Sequence, residues 1–459
     1  MPRNGDDSFV LNDGSRVAVV GGGPAGSFFA HFLLLFAQRA DTRISVDIYE
    51  PRDFRATGSA GCNMCGGIVS ESLVQTLAVE GISLPDTVVQ RGLQAYVLHT
   101  DNGHCRIETP RAEKRIAAVH RGGGPRRAVP HQWESFDGHL LKLAIEQGAN
   151  LCAGRVTAVR WDGDRPQVEM KGGQPQTYDL VVGALGINSP DLKLFEALGF
   201  GYVRPKPTKT FITELQFGME GVHNCFGDAM HVFLLNIPRL QFAALIPKGE
   251  YVTMCLLGES IDGELVKRFF AHPQVAGCFP PGWASSADAC RCSPKMFFGD
   301  AAQPFGNRVL LIGDAGVARL YKDGIGAAYR TAKAAARTAV FAGVSAEAFR
   351  RHYWPECRKL SRDNRFARVV FWAVDIIKKF GFLTDALLRV TAAEQKSAGQ
   401  RRLSMVLWDT FTGNARYQNV FLRSMHPSML GRLAVGAVIA AGSYLGKAKL
   451  WTARRRGDR

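Results

Sequence analysis

Gly21, Gly23 and Gly26 stand at the spacing Gly-x-Gly-x-x-Gly, directly after an apolar run at residues 17–20. The chemistry available there belongs to the backbone. The first glycine permits a tight turn, the second lets the chain approach a pyrophosphate closely, and the third lets a helix pack on the strand. Pro24 and Ala25 open that helix, whose amides and positive dipole end face the phosphates. Glu50 closes a second apolar run, 24 residues after Gly26. A carboxylate there accepts hydrogen bonds from ribose hydroxyls and repels a 2′-phosphate, which disfavours NADP at this site. Gly313 and Asp314 close another run, at residues 308–312, and Asp314 is placed to accept from a ribityl hydroxyl. Gly324, Ile325 and Gly326 then open a helical stretch. Its amides would meet the pyrimidine end of a flavin, where negative charge builds on reduction. Between the first and last segments, residues 178–186 form a further apolar strand ending in small residues. Three segments in this order point to FAD.

Two thiols lie between the first and second segments, in Cys62-Asn-Met-Cys65-Gly66-Gly67. They are placed where a loop after the second strand can reach a flavin. From the residues alone they are either a redox disulfide exchanging electrons with the flavin or small buried hydrophobes in a structural loop. A metal would need two more ligands, and only a coincidence of fold would bring Cys290 and Cys292 to supply them; no metal is expected.

The segments together resemble the flavoprotein superfamily that includes p-hydroxybenzoate hydroxylase, over roughly residues 15–345. Within it the chain most resembles the geranylgeranyl reductase family. Cys65-Gly66-Gly67 matches that family's cysteine-glycine-glycine loop, and residues 242–249, with Pro247, stand in the place of an aromatic-x-x-x-x-Pro motif. Two departures stand out: Ala244 occupies the position of the family's tryptophan, and Lys322-Asp-Gly324 replaces Gly-Glu-Gly. The resemblance implies that Cys65 sits beside the isoalloxazine and helps position or protonate substrate. It implies that Gly66 and Gly67 approach the flavin and that the Val156 backbone meets the adenine.

The elements that must position these residues follow from the patterning. The expected fold class is α/β: a Rossmann-type FAD-binding domain interleaved with an antiparallel-sheet substrate domain, plus a C-terminal helical region. The FAD-binding domain is assigned to residues 1–95, 130–195 and 296–345. The substrate sheet takes 96–129 and 196–295, where alternating strands would roof the flavin. A basic glycine loop at 120–127 can reach the pyrophosphate through Arg121 or Arg127, or serve as a solvated connector. His223 and His231 are possible acids.

The chain carries a formal net charge of +16 and 46% apolar residues. Residues 350–459 hold 22 lysines and arginines against 7 acidic residues, so nearly all the excess lies there. The apolar stretch at 433–446 is short for a bilayer span. It reads as an interfacial helix drawn to anionic headgroups, or as a buried helix followed by a solvated basic tail. No nucleic-acid-binding motif is present, and no nucleic acid is expected. The polar start and scattered cysteines lead us to expect a cytoplasmic protein, possible at the cytoplasmic membrane face.

The leading functional expectation is reduction of carbon–carbon double bonds in a prenyl or other isoprenoid lipid, by hydride from reduced flavin. The alternative is an FAD monooxygenase acting on an aromatic or polyketide-like small molecule. A halogenase variant lacks the Trp-x-Trp-x-Ile-Pro signature expected of it. A third reading is a flavin-containing electron-transfer partner at a membrane. One dinucleotide fingerprint is visible, so the external electron donor, NAD(P)H or a ferredoxin, is left open.

Overall fold

The computed structural model describes residues 9–61, 65–109, 116–126, 128, 133–284, 289–297, 299–397 and 399–457. Arg127 and Cys62 lie outside the described residues.

The apolar runs of the three segments become adjacent strands of one six-stranded sheet. Its order is Phe305–Gly306, Val309–Leu311, Leu180–Gly183, Arg16–Val20, Ser45–Tyr49 and Asn150–Cys152. All pairs are parallel except the first. Val17, Ala18 and Val19 are fully buried, as expected of a strand covered on both faces. Two helices cover one side, Pro24–Arg39 and Gly324–Phe341, and Phe28 and Phe32 of the first meet Tyr329 of the second edge-on. The helix Phe136–Glu146 packs beside them, capped by Ser135 accepting from the Gly138 amide at 2.8 Å.

A seven-stranded sheet stands against this layer. Its order is Arg291–Cys292, Phe211–Gln216, Tyr251–Gly258, Leu240–Lys248, Ala229–Leu234, Ala95–Thr100 and Gly103–Glu108. It is antiparallel apart from one parallel pair, Ala229–Leu234 with Ala95–Thr100. Both faces are apolar, so the two-residue period of a strand sorts side chains between two cores. Phe242, Ala244 and Ile246 join one core, and Ala243 and Leu245 the other.

The basic last quarter supplies the first of those cores. Helices Trp354–Lys379, Gly381–Lys396, Arg402–Thr412 and Tyr417–Ser424 add to this core: Phe371, Trp408 and Phe411 meet Tyr96 and Phe242 of the sheet, and Tyr417 packs on Phe371. Lys378 is buried there and donates to the carbonyls of Leu240 and Gln241, both at 2.8 Å. A lysine with its head capped by carbonyls is how this basic segment joins an apolar core. The last helix, Pro427–Gly457, buries Met429 and Ala440 but leaves Val435, Val438 and Ile439 exposed. No helix of the described residues is long and apolar enough to cross a membrane.

Candidate active site

One cavity of about 700 Å³ runs from the first glycine loop to the seven-stranded sheet. Its first half is backbone. Gly21 has φ of +110°, and a Cβ there would meet the Ala184 carbonyl oxygen at 2.6 Å. Glu50 is buried, accepts from the Gly22 amide at 2.9 Å, and is clamped by the Arg52 amide and Nε at 3.0 and 3.1 Å. That bonding holds the carboxylate at the end of its strand, open to the cavity, where a ribose would lie. Gly21, Gly23, Pro24, Ala25, Glu50, Val156, Asp314, Gly324 and Ile325 all line the space. A dinucleotide fits these residues: a helix N-terminus for its phosphates, a fixed carboxylate for its ribose and a bare glycine approach.

Gly26, Gly313 and Gly326 do not line the cavity. A Cβ on Gly26 would sit 1.9 Å from the Gly21 carbonyl oxygen, so this glycine closes the helix onto the turn. Gly313 leaves room for the Ala25 methyl, and Gly326 for the Asp323 carboxylate. All three shape the cradle from behind.

Cys65-Gly66-Gly67 lines the cavity where its two halves meet. Gly67 has φ of +67°, and a side chain would collide with the Val119 carbonyl at 2.0 Å and Lys248 Nζ at 2.8 Å. At Gly66 a Cβ would press on Cys255 Sγ and Ile246 of the sheet. Cys65 carries a free thiol, and its sulfur accepts from the Gly67 amide at 3.4 Å. Arg121 stands beside this sulfur, and its Nε and a terminal nitrogen grip Asp137, each at 2.8 Å. The arginine considered for a pyrophosphate is thus held by a fully buried carboxylate beside Cys65. Asp314 lies across from it. Burial raises the Asp314 carboxyl above its ordinary range, and the Arg121 charge only partly offsets this.

The second half is side chains. Ile212, Met230, Val232, Phe242, Ala244, Ile246 and Leu257 face the cavity from four strands, and Phe411 closes it from the C-terminal helices. Ala244 leaves space where the resemblance placed a tryptophan. His231 falls between Met230 and Val232, so the strand's alternation turns it to the opposite face. Neither His231 nor His223 lines the cavity, and neither serves as an acid there.

The loop between Asp314 and Gly324 is gripped by residues that sequence reasoning missed. Arg319 is buried and ion-pairs with Asp323 at 2.6 Å and Asp363 at 3.3 Å. Asn364 takes the Leu320 amide at 2.9 Å and donates to the Ala318 carbonyl at 2.8 Å, and the Tyr417 hydroxyl donates to the Leu320 carbonyl at 2.6 Å. Lys322 lines the cavity, donates to the Asp409 carbonyl, and lies 4.2 Å above the Tyr417 ring. Burial and then Arg319 push its ammonium well below the ordinary lysine range.

No protein-family model and no curated protein matches the chain. Solved structures do match, at low identity. A flavoprotein/dehydrogenase from Cytophaga hutchinsonii superposes with a TM-score of 0.61 and 15% identity, over 94% of this chain and 100% of that one. The halogenase PltM, solved with FAD, gives 0.58 and 12% over 94% of each chain. PqsL of P. aeruginosa, in complex with 2-aminobenzoylacetate, gives 0.54 and 14% over 79% of this chain and 97% of that one. The chain has the fold of FAD-dependent flavoproteins.

Proposed function

We propose that this chain is an FAD-dependent monooxygenase acting on a hydrophobic, aromatic or polyketide-like small molecule. The observation that carries it is one continuous cavity, lined by the glycine loop and Glu50 at one end and walled by apolar side chains at the other. Two neighbours of the same fold support it: PltM was solved with phloroglucinol and FAD, and PqsL with 2-aminobenzoylacetate. Both ligands carry a benzene ring.

Gly21, Gly23 and Ala25 would hold the pyrophosphate, Glu50 a ribose, Val156 the adenine side and Asp314 the ribityl chain. The amides of Gly324 and Ile325 would face the pyrimidine edge. Bound FAD, once reduced, supplies the electrons that activate oxygen. The protein's part is to hold the substrate on the Met230, Val232, Phe242 and Ala244 wall and keep bulk water from it. The electrons would come from NAD(P)H or a ferredoxin.

A second reading is favoured by Cys65, which lines the cavity at the junction of its halves together with Arg121. In this reading the apolar wall would hold a prenyl lipid, bound reduced FAD would supply the hydride for an alkene carbon, and the proton would reach the alkene from the Cys65 side. Val435, Val438 and Ile439, exposed on a basic helix, would bring the enzyme to the membrane that holds such a lipid.

Photoreduction without oxygen separates the two. The monooxygenase reading expects the flavin to stay reduced with any substrate until oxygen enters, then to yield a product gaining one oxygen atom. Reoxidation by a prenyl lipid without oxygen, with a product gaining two hydrogens, would replace it with the reductase.

A further inference from the structure

The face of the seven-stranded sheet turned away from the cavity carries a different set of groups. His99 and His231 sit on the two parallel strands, and Cys278 follows the short helix Pro273–Ala276 that packs over them. Their ligand atoms converge. His99 Nε2 lies 3.0 Å from His231 Nδ1, His231 Nδ1 lies 3.4 Å from Cys278 Sγ, and Cys278 Sγ lies 3.9 Å from His99 Nε2. A tetrahedral zinc ion with bonds of about 2.05 Å to nitrogen and 2.3 Å to sulfur sets ligand edges of about 3.3 and 3.6 Å. The three distances bracket those edges, so shifts of a few tenths of an ångström would seat the ion. No other such triad of histidine, cysteine or acidic groups occurs among the described residues.

The surroundings prepare the ligands. Gln274 presents its amide oxygen to His99 Nδ1 at 3.3 Å. An amide oxygen only accepts, so the proton sits on Nδ1 and Nε2 offers a bare lone pair to the triad. Burial holds His99 down to about 4 and His231 to about 3, so both imidazoles are neutral near pH 7. Burial pushes the Cys278 thiol up to about 12, so the ion has to displace that proton to bind.

We infer that His99, His231 and Cys278 form a zinc site, independent of the flavin cavity, that staples the helical segment at residues 263–278 to the back of the substrate sheet. Binding forms two zinc–nitrogen bonds and one zinc–sulfur bond. It breaks the Cys278 S–H bond and releases that proton to solvent. The fourth position is left to water.

The test uses full-length protein grown with zinc and dialysed against metal-free buffer. Elemental analysis should find about one zinc per chain, falling about ten-fold or more in Cys278→Ser with flavin content unchanged. Cobalt added to metal-free wild type should give intense tetrahedral d–d bands and a near-ultraviolet thiolate charge-transfer band. The cobalt titration of the wild type keeps the test decisive if Cys278→Ser fails to fold. A wild type with no zinc and no cobalt–thiolate band would overturn the inference, leaving a hydrogen-bonded histidine pair beside a buried thiol. Metal that persists in Cys278→Ser would overturn it equally, by placing the ion elsewhere.

Discussion

The two halves of the cavity are built from different material. The dinucleotide half is backbone and a few fixed polar groups, drawn from residues close to strand ends. The substrate half is a wall of apolar side chains from four strands and a helix, drawn from positions between 212 and 411. Backbone recognition tolerates almost no change in local geometry, because a glycine there has a carbonyl or a neighbouring methyl in the place of its Cβ. An apolar wall tolerates exchange of side chains of similar volume and sets only which molecule fits. The first half thus fixes the cofactor chemistry, and the second can change substrate without disturbing it.

The largest effect should come from breaking the first half. Gly26→Ala drives a methyl to 1.9 Å from the Gly21 carbonyl oxygen, and neither backbone can yield cheaply. FAD affinity should fall by more than about ten-fold, measured by flavin retained after gel filtration. Next comes Arg121→Met. It leaves the fully buried Asp137 carboxylate without its bidentate partner and should cost about 3–5 kcal/mol in urea denaturation. Arg121→Lys should recover only part of this, since a point charge cannot reproduce the fork.

Filling the second half should separate binding from turnover. Ala244→Trp places an indole in the apolar chamber, and turnover of any substrate should fall about a hundred-fold while FAD stays bound. A variant that loses flavin with turnover would show that the halves are not separable. The smallest effect is a pH dependence. Asp314 has its carboxyl raised by burial, so the folded apoprotein holds this proton more tightly than the unfolded chain does. That stability is complete below the ordinary carboxylate range and is lost as pH rises through the raised value. Asp314→Asn should remove the loss, so its urea midpoint relative to wild-type apoprotein should improve from pH 4 to pH 8. A constant difference would mean that Asp314 is not protonated more readily in the folded state.

The same contrast decides what was legible in the sequence. The glycine loop, Glu50 and Asp314 could be read because backbone geometry demands particular residue types at short spacings. The strands followed from apolar runs, and the helix starting at Pro24 from the glycine fingerprint before it. The Arg121–Asp137 pair could not be read, because a glycine-rich loop with an arginine looks the same whether the cation meets a phosphate or a buried aspartate. His231 stood among apolar residues on a strand, and only the phase of that strand decides which face it takes. Nor could the C-terminal helices be placed. Their charge pointed to a surface, whereas Lys378 spends its own on buried carbonyls and Asp363 pairs with the buried Arg319 of the preceding loop. A signal was present in Trp408 and Phe411, which stand three apart on one helix face and belong in a core.

The most direct measurement is the flavin absorption spectrum of the purified protein during titration with a hydrophobic aromatic ligand. The account predicts about one FAD per chain and a saturable shift of the flavin band, which Ala244→Trp abolishes while keeping its FAD. Protein that takes up no FAD, or a ligand that binds in equilibrium dialysis without moving the flavin band, would contradict a cavity shared by cofactor and substrate.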